Sequence, residues 1–174
     1  VNLEFSGRVI TAHPGKPLLY VPATGGDPGK VPGAVVYLAE DGSYQKHQNI
    51  NFNDGACYLS LDNENRHLLG VSYGNGRLNV YPLDDQGIPG KAITTVDEGK
   101  REAHCVLLPP DGKNIYIPYV KGNIALLQYA YDGKTGKVTP LEPKDAKPPL
   151  GSGPRPMASH PTLPTVYFSN AQGI

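Results

Sequence analysis

The stretch Ala103–Asp132, AHCVLLPPDGKNIYIPYVKGNIALLQYAYD, reads as three antiparallel strands in succession. Ala103–Leu108 is a short apolar run. Pro109-Pro110-Asp111-Gly112 supplies turn chemistry, because proline pre-sets φ and glycine is free to take a positive one. Asn114–Val120 is then rich in Ile, Tyr and Val, Lys121-Gly122 turns the chain again, and Asn123–Tyr129 forms a third run. The segment is a meander.

The same unit returns through the rest of the chain. Leu18–Val21, Leu68–Val71, Asn114–Ile117 and Thr165–Phe168 each follow a turn, and their last residues are separated by 50, 46 and 51 positions. Gly33–Leu38, Gly76–Leu83 and Gly122–Tyr129 each open on glycine and continue with alternating apolar residues. Turn signals recur at Glu40-Asp41-Gly42, Asp84–Gly87 and Asp132–Gly136, before a fourth, weaker strand. A period near 50 with four strands per unit is the signature of a β-propeller blade. A β-sandwich also has short strands between turns, but gives no reason for a fixed period. The fold expected is all-β: a β-propeller of about three and a half four-stranded blades, with units at about 1–50, 51–96, 97–147 and an incomplete 148–174. Rings need about four to eight blades. The chain therefore reads as part of a longer polypeptide, or as one piece of a protein whose other half is separate, and because Val1 is not an initiator Met its natural start is expected upstream.

At 174 residues and 39% hydrophobic content the chain can bury a sizeable core. Lys plus Arg equal Asp plus Glu at 16 each with no basic cluster, so neither nucleic acid nor an anionic membrane is an expected partner. No apolar run approaches membrane-spanning length. Cys57 and Cys105 fall inside expected strands and read as small buried thiols, not as a disulfide. The histidines show no metal-ligand spacing, Asp132–Gly136 lacks the ligands of an EF-hand loop, and no Gly-x-Ser-x-Gly elbow occurs; no metal, no cofactor and no serine triad are expected. His13 and His160 each precede proline in equivalent turns and read as turn-shaping. Pro140–Gly153 reads as a solvent loop between blades.

The repeat register picks out a ring. Counting six residues back from Pro14, Glu64, Pro110 and Pro161 gives Arg8, Tyr58, His104 and Arg155. The first strand of each blade lies nearest the axis, so these positions face one another around the channel mouth. Such a ring either lines a hydrated channel or converges on one ligand. A guanidinium offers a bidentate fork for carboxylate or phosphate, and histidine exchanges a proton near neutral pH.

Gly70–Tyr73 with Gly76–Val80, then Ala103-His104-Cys105 leading into Pro110–Asn114, then Gly151–Met157 and His160-Pro161, resemble the lactonase family of seven-bladed β-propellers. That family includes the propeller type of 6-phosphogluconolactonase and the fungal 3-carboxy-cis,cis-muconate lactonizing enzymes. The resemblance implies that about half of a seven-bladed ring is in view, with the remaining half in the same or another chain. It implies hydrolysis of a small anionic substrate, a sugar lactone such as 6-phosphogluconolactone. Muconate cycloisomerisation, or a non-catalytic propeller that binds a ligand or protein partner, stand as alternatives. His104 and Arg155 fall on the family's histidine and on the arginine of its Gly-Pro-Arg-His motif and are the catalytic candidates, with Arg8, Tyr58 and Asn170 as substrate-binding candidates. Pro156 stands where that motif has its histidine, and Ala171 where the family's Val-Asn-Glu has its carboxylate. Glu102, read as adjoining His104, is expected to be a poor substitute, because adjacent residues on a strand point to opposite faces. The resemblance leans towards a cytoplasmic protein, with a secreted or periplasmic one as the alternative.

Overall fold

The computed structural model describes residues 3, 5–7, 9–23, 32–121 and 124–171. Arg8 and the Gly122-Asn123 part of the second turn lie outside the described residues. Four antiparallel sheets follow one another along the chain. The first contains β1 (Thr11–Ala12), β2 (Leu18–Val21), β3 (Pro32–Leu38) and β4 (Tyr44–Asn51), and the second β5 (Ala56–Leu61), β6 (His67–Ser72), β7 (Leu78–Pro82) and β8 (Thr94–Val96). The third contains β9 (Asn114–Tyr119), β10 (Ala125–Asp132) and β11 (Lys137–Asp145), and the fourth β12 (Pro154–Ser159) and β13 (Val166–Asn170). Within each sheet the strands neighbour one another in chain order, which is the up-and-down order of propeller blades.

The first hairpin of each blade fixes the repeat. His13, Asp62 and His160 each donate a backbone N–H across the hairpin, to the carbonyls of Leu18, His67 and Thr165 respectively. Their side chains accept from the turn: Gly15 N–H bonds His13 Nδ1, Arg66 and His67 N–H bond Asp62 Oδ1, and Thr162 and Leu163 N–H bond His160 Nδ1. The two histidines thus shape turns, in the manner of Asx and ST motifs. The left-handed turn position is Asn65 in the second blade and Gly112 in the third, at φ 55° and 63°. Gly112→Ala is expected to lower stability by about 1–2 kcal/mol, because an L side chain is strained there. A lower urea midpoint at unchanged m-value would show it.

The third blade departs from the expected pattern along its inner edge. Ala103–Leu108 runs beside β9 but pairs with it only at isolated bridges, Ala103 to Tyr119 and Leu107 to Tyr116. His104 N–H bonds Pro118 O, whereas Pro118 has no N–H to return, so the ladder is interrupted. The expected solvent loop over Pro140–Gly153 is also shorter. Pro140–Asp145 belongs to β11, whose position at the edge of the sheet tolerates proline.

Blades pack through apolar layers with polar ties. Leu18, Tyr20, Val35, Phe52, Leu59, Leu68 and Tyr81 cluster between the first and second blades, with Phe52 and Tyr81 edge to face at 5.5 Å. Leu69, Leu78, Val80, Val106, Ile115, Ile117, Leu127 and Tyr129 do the same between the second and third. Each such fully buried side chain stabilises by about 1.5–3 kcal/mol. Tyr20 OH donates to Gly87 O at 2.8 Å and Tyr119 OH to Gly76 O at 2.9 Å, each crossing to a neighbouring blade. Cys57 and Cys105 are free thiols that donate to Ala103 O and Arg155 O, each in the next blade.

Candidate functional site

The pairs Thr11–Tyr20, Ser60–Leu69, Leu107–Tyr116 and Ala158–Tyr167 occupy one position in the four blades and are spaced 49, 47 and 51 residues apart. Three residues before the first member of each pair stand Arg8, Cys57, His104 and Arg155. Three of the four residues chosen from the turns keep this register, and Tyr58 does not. A β-bulge between Ala56 and Tyr58 puts Cys57 at the equivalent position, while Tyr58 packs half-buried against the core of the second and third blades. Arg8 keeps the position in the chain and lies outside the described residues.

His104 and Arg155, on adjacent blades, meet. Arg155 Nε–H donates to His104 Nε2 at 2.9 Å, which leaves the ring proton of the neutral imidazole on Nδ1. Burial, and then the Arg155 guanidinium, holds the His104 pKa below its ordinary value. The Tyr73 ring stands edge-on to the imidazole, with centroids 6.0 Å apart and planes at 89°. Lys121 Nζ lies 5.6 Å from the centre of the same Tyr73 ring. The Tyr73 hydroxyl, and secondarily the Glu102 carboxylate, raises the Lys121 pKa, while Arg155 opposes this.

Glu102 enters the same cluster. It lies two residues from His104, a separation that keeps side chains on one face of a regular strand. The backbone at Glu102 is not regular, however, with φ at 70°. Its N–H donates to Tyr73 O at 2.8 Å in the second blade and its carbonyl accepts from Val120 N–H at 3.2 Å in the third. One carboxylate oxygen, Oε2, is buried with no hydrogen-bond partner. The expectation that Glu102 faces away from His104 treated the two as adjacent, and at a separation of two residues alternation gives no ground for it.

Asn170 ends β13, and its side-chain oxygen accepts from Gly153 N–H at 2.7 Å, an anchor for the start of β12. Ala171 N–H bonds Gly153 O at 2.8 Å, a main-chain contact in the fourth blade that does not depend on the side chain. Tyr73 and Lys121 were not singled out from sequence. Both directly follow the second strand of a blade, Tyr73 after β6 and Lys121 within two residues of β9, and so reach the rim where the first strands of the next turns begin. A cleft of about 490 Å³ lined by Pro109, Asp111, Tyr116, His160 and Leu163 lies instead at the hairpin turns and includes neither His104 nor Arg155.

The family described as lactonase, 7-bladed beta-propeller, matches residues 6–171. The 6-phosphogluconolactonase of Cronobacter sakazakii is 32% identical over 133 residues, 76% of this chain and 38% of that protein. The 6-phosphogluconolactonase of Klebsiella pneumoniae subsp. pneumoniae is 33% identical over 114 residues, 65% of this chain and 33% of that protein. Among solved structures, the Pseudomonas aeruginosa periplasmic gluconolactonase PpgL superposes with a TM-score of 0.69 at 20% identity, over 86% of this chain and 46% of that one. A Lactobacillus plantarum protein superposes with a TM-score of 0.74 at 17% identity, over 94% and 50%. The structural likenesses show the fold, and the chain spans less than half the length of the curated relatives it matches. With the family match covering nearly all of its residues, the chain belongs to the lactonase family of seven-bladed β-propellers.

Proposed function

We propose that the full-length protein hydrolyses an anionic sugar lactone of the 6-phosphogluconolactone type. The observation that carries this reading is the His104–Arg155 contact, a proton carrier and a guanidinium brought together at equivalent positions of adjacent blades. The names of the matched relatives favour hydrolysis over muconate cycloisomerisation or a binding-only propeller.

In the free site Arg155 occupies the Nε2 lone pair of His104. An anionic substrate competes for the guanidinium and frees that lone pair. His104 then takes a proton from water as the water oxygen bonds to the lactone carbonyl carbon, and the carbonyl electron pair moves onto its oxygen, stabilised by Arg155. Collapse of this intermediate breaks the ring C–O bond, and His104 returns the proton to the departing ring oxygen. The product is an open-chain hydroxy acid whose carboxyl proton passes to solvent.

The test is hydrolysis of 6-phosphogluconolactone by the full-length protein above the spontaneous rate. Because the base form of His104 is the active one and its pKa is held down, kcat/KM should fall on the acid side at a midpoint below about 6.5. Arg155→Gln should move that midpoint upward, since one cause of the depression is removed, and lower kcat/KM by about 10-fold or more. Absence of any catalysed hydrolysis would remove the lactonase reading.

A further inference from the structure

We propose that Lys121 is a second anion-binding cation of this site, linked to His104 through the Tyr73 ring, and receives a phosphate ester dianion on the substrate while Arg155 serves the lactone carbonyl. The proposal rests on the lactonase reading for the reaction, and on the geometry of the rim for the receptor.

Contacts run without a break from one cation to the other. Lys121 lies over Tyr73, Tyr73 meets His104 edge-on, and His104 accepts from Arg155. The Tyr73 ring thus stands between the ammonium and the imidazole that Arg155 contacts directly. Lys121 is a compact, mobile point charge with three donors, suited to the several oxygens of a phosphate. The opposing influence of Arg155 on Lys121 agrees with two cations sharing one neighbourhood.

Lys121 follows β9 by two residues and sits at a left-handed φ of 56°, off the regular path of the strand.

The test compares 6-phosphogluconolactone with unphosphorylated gluconolactone in the full-length protein. Lys121→Met should raise KM for the phosphorylated lactone about 10-fold, as expected for one lost charge-assisted hydrogen bond, with kcat and the unphosphorylated KM nearly unchanged. Inorganic phosphate should inhibit competitively, and less well in Lys121→Met. An unchanged ratio of the two KM values in Lys121→Met would overturn the proposal while leaving the lactonase reading intact. If the wild-type protein hydrolyses neither lactone, calorimetric titration with inorganic phosphate decides: weaker binding by Lys121→Met upholds the receptor, and equal binding overturns it.

Discussion

His104→Ala in the full-length protein is expected to lower kcat/KM for lactone hydrolysis by roughly 10²–10⁴-fold, the contribution typical of a positioned acid/base group. The fold should be unaffected. The backbone bond from His104 N–H to Pro118 O does not involve the side chain, and the imidazole is half-buried at a rim, not packed in a core layer. His104→Gln separates two roles. Glutamine can still accept from Arg155 but cannot carry a proton at neutral pH. If His104 transfers the proton, both variants lose activity to a similar degree; if it merely orients Arg155, glutamine retains most of it. Steady-state kinetics with a matched urea unfolding curve for each variant distinguish these outcomes, and unchanged turnover in both would take the proton-transfer role away from His104.

The largest expected loss of stability lies at the other end of the blades. Asp62→Ala should destabilise the protein by about 3–5 kcal/mol. Asp62 is 3% exposed and accepts from the backbone N–H groups of Arg66 and His67, at 2.7 and 3.1 Å. Its second oxygen lies 3.2 Å from both His67 Nδ1 and Tyr131 OH, and these two are 2.9 Å apart, which closes a buried triangle. Removing the carboxylate strands several buried polar groups at once, each of which costs about 1–3 kcal/mol when unpaired. Tyr131 is on β10, so the triangle also joins the second blade to the third. Tyr131→Phe should cost less, about 1 kcal/mol, and the double variant less than the two added together, since one network is lost twice. Denaturant unfolding measures all three, and a loss below about 1 kcal/mol for Asp62→Ala would show that the network is incidental to stability.

The blade repeat was legible because turns carry their own chemistry. Pro109–Gly112 and Asp132–Gly136 mark hairpins whatever surrounds them, and the apolar runs between them have nowhere to go but the sheets. Register was legible to within one residue. Glu64 was aligned with Pro110, whereas the left-handed residues that fix the hairpins are Asn65 and Gly112, different residue types doing one geometric task. That single step, together with the bulge after Ala56, exchanged Tyr58 for Cys57. His104 and Arg155 were legible because their turns share a register; that they touch was not, because contact depends on how adjacent blades twist together. Glu102 was misread by one position: it stands two residues from His104, a separation at which alternation places side chains on one face instead of opposing them. Lys121 was hidden as a turn residue, its role set by the Tyr73 ring contributed by another blade.

The ties that cross from blade to blade bear on how the molecule comes apart. Tyr20 to Gly87, Tyr119 to Gly76, Tyr131 to Asp62, and the two cysteine thiols to the carbonyls of Ala103 and Arg155 link each described blade to its neighbour. In a linear array of repeats, stability is a sum of intrinsic and nearest-neighbour terms, and strong coupling at every junction suppresses partial opening. Amide protons in the inner strands of different blades should then exchange with solvent through one shared opening, at similar free energies, instead of in a ladder of separate ones. A rim site assembled from three blades gains from that cooperativity: His104, Arg155 and Tyr73 keep their relative positions for as long as any of the blades that carry them stays folded.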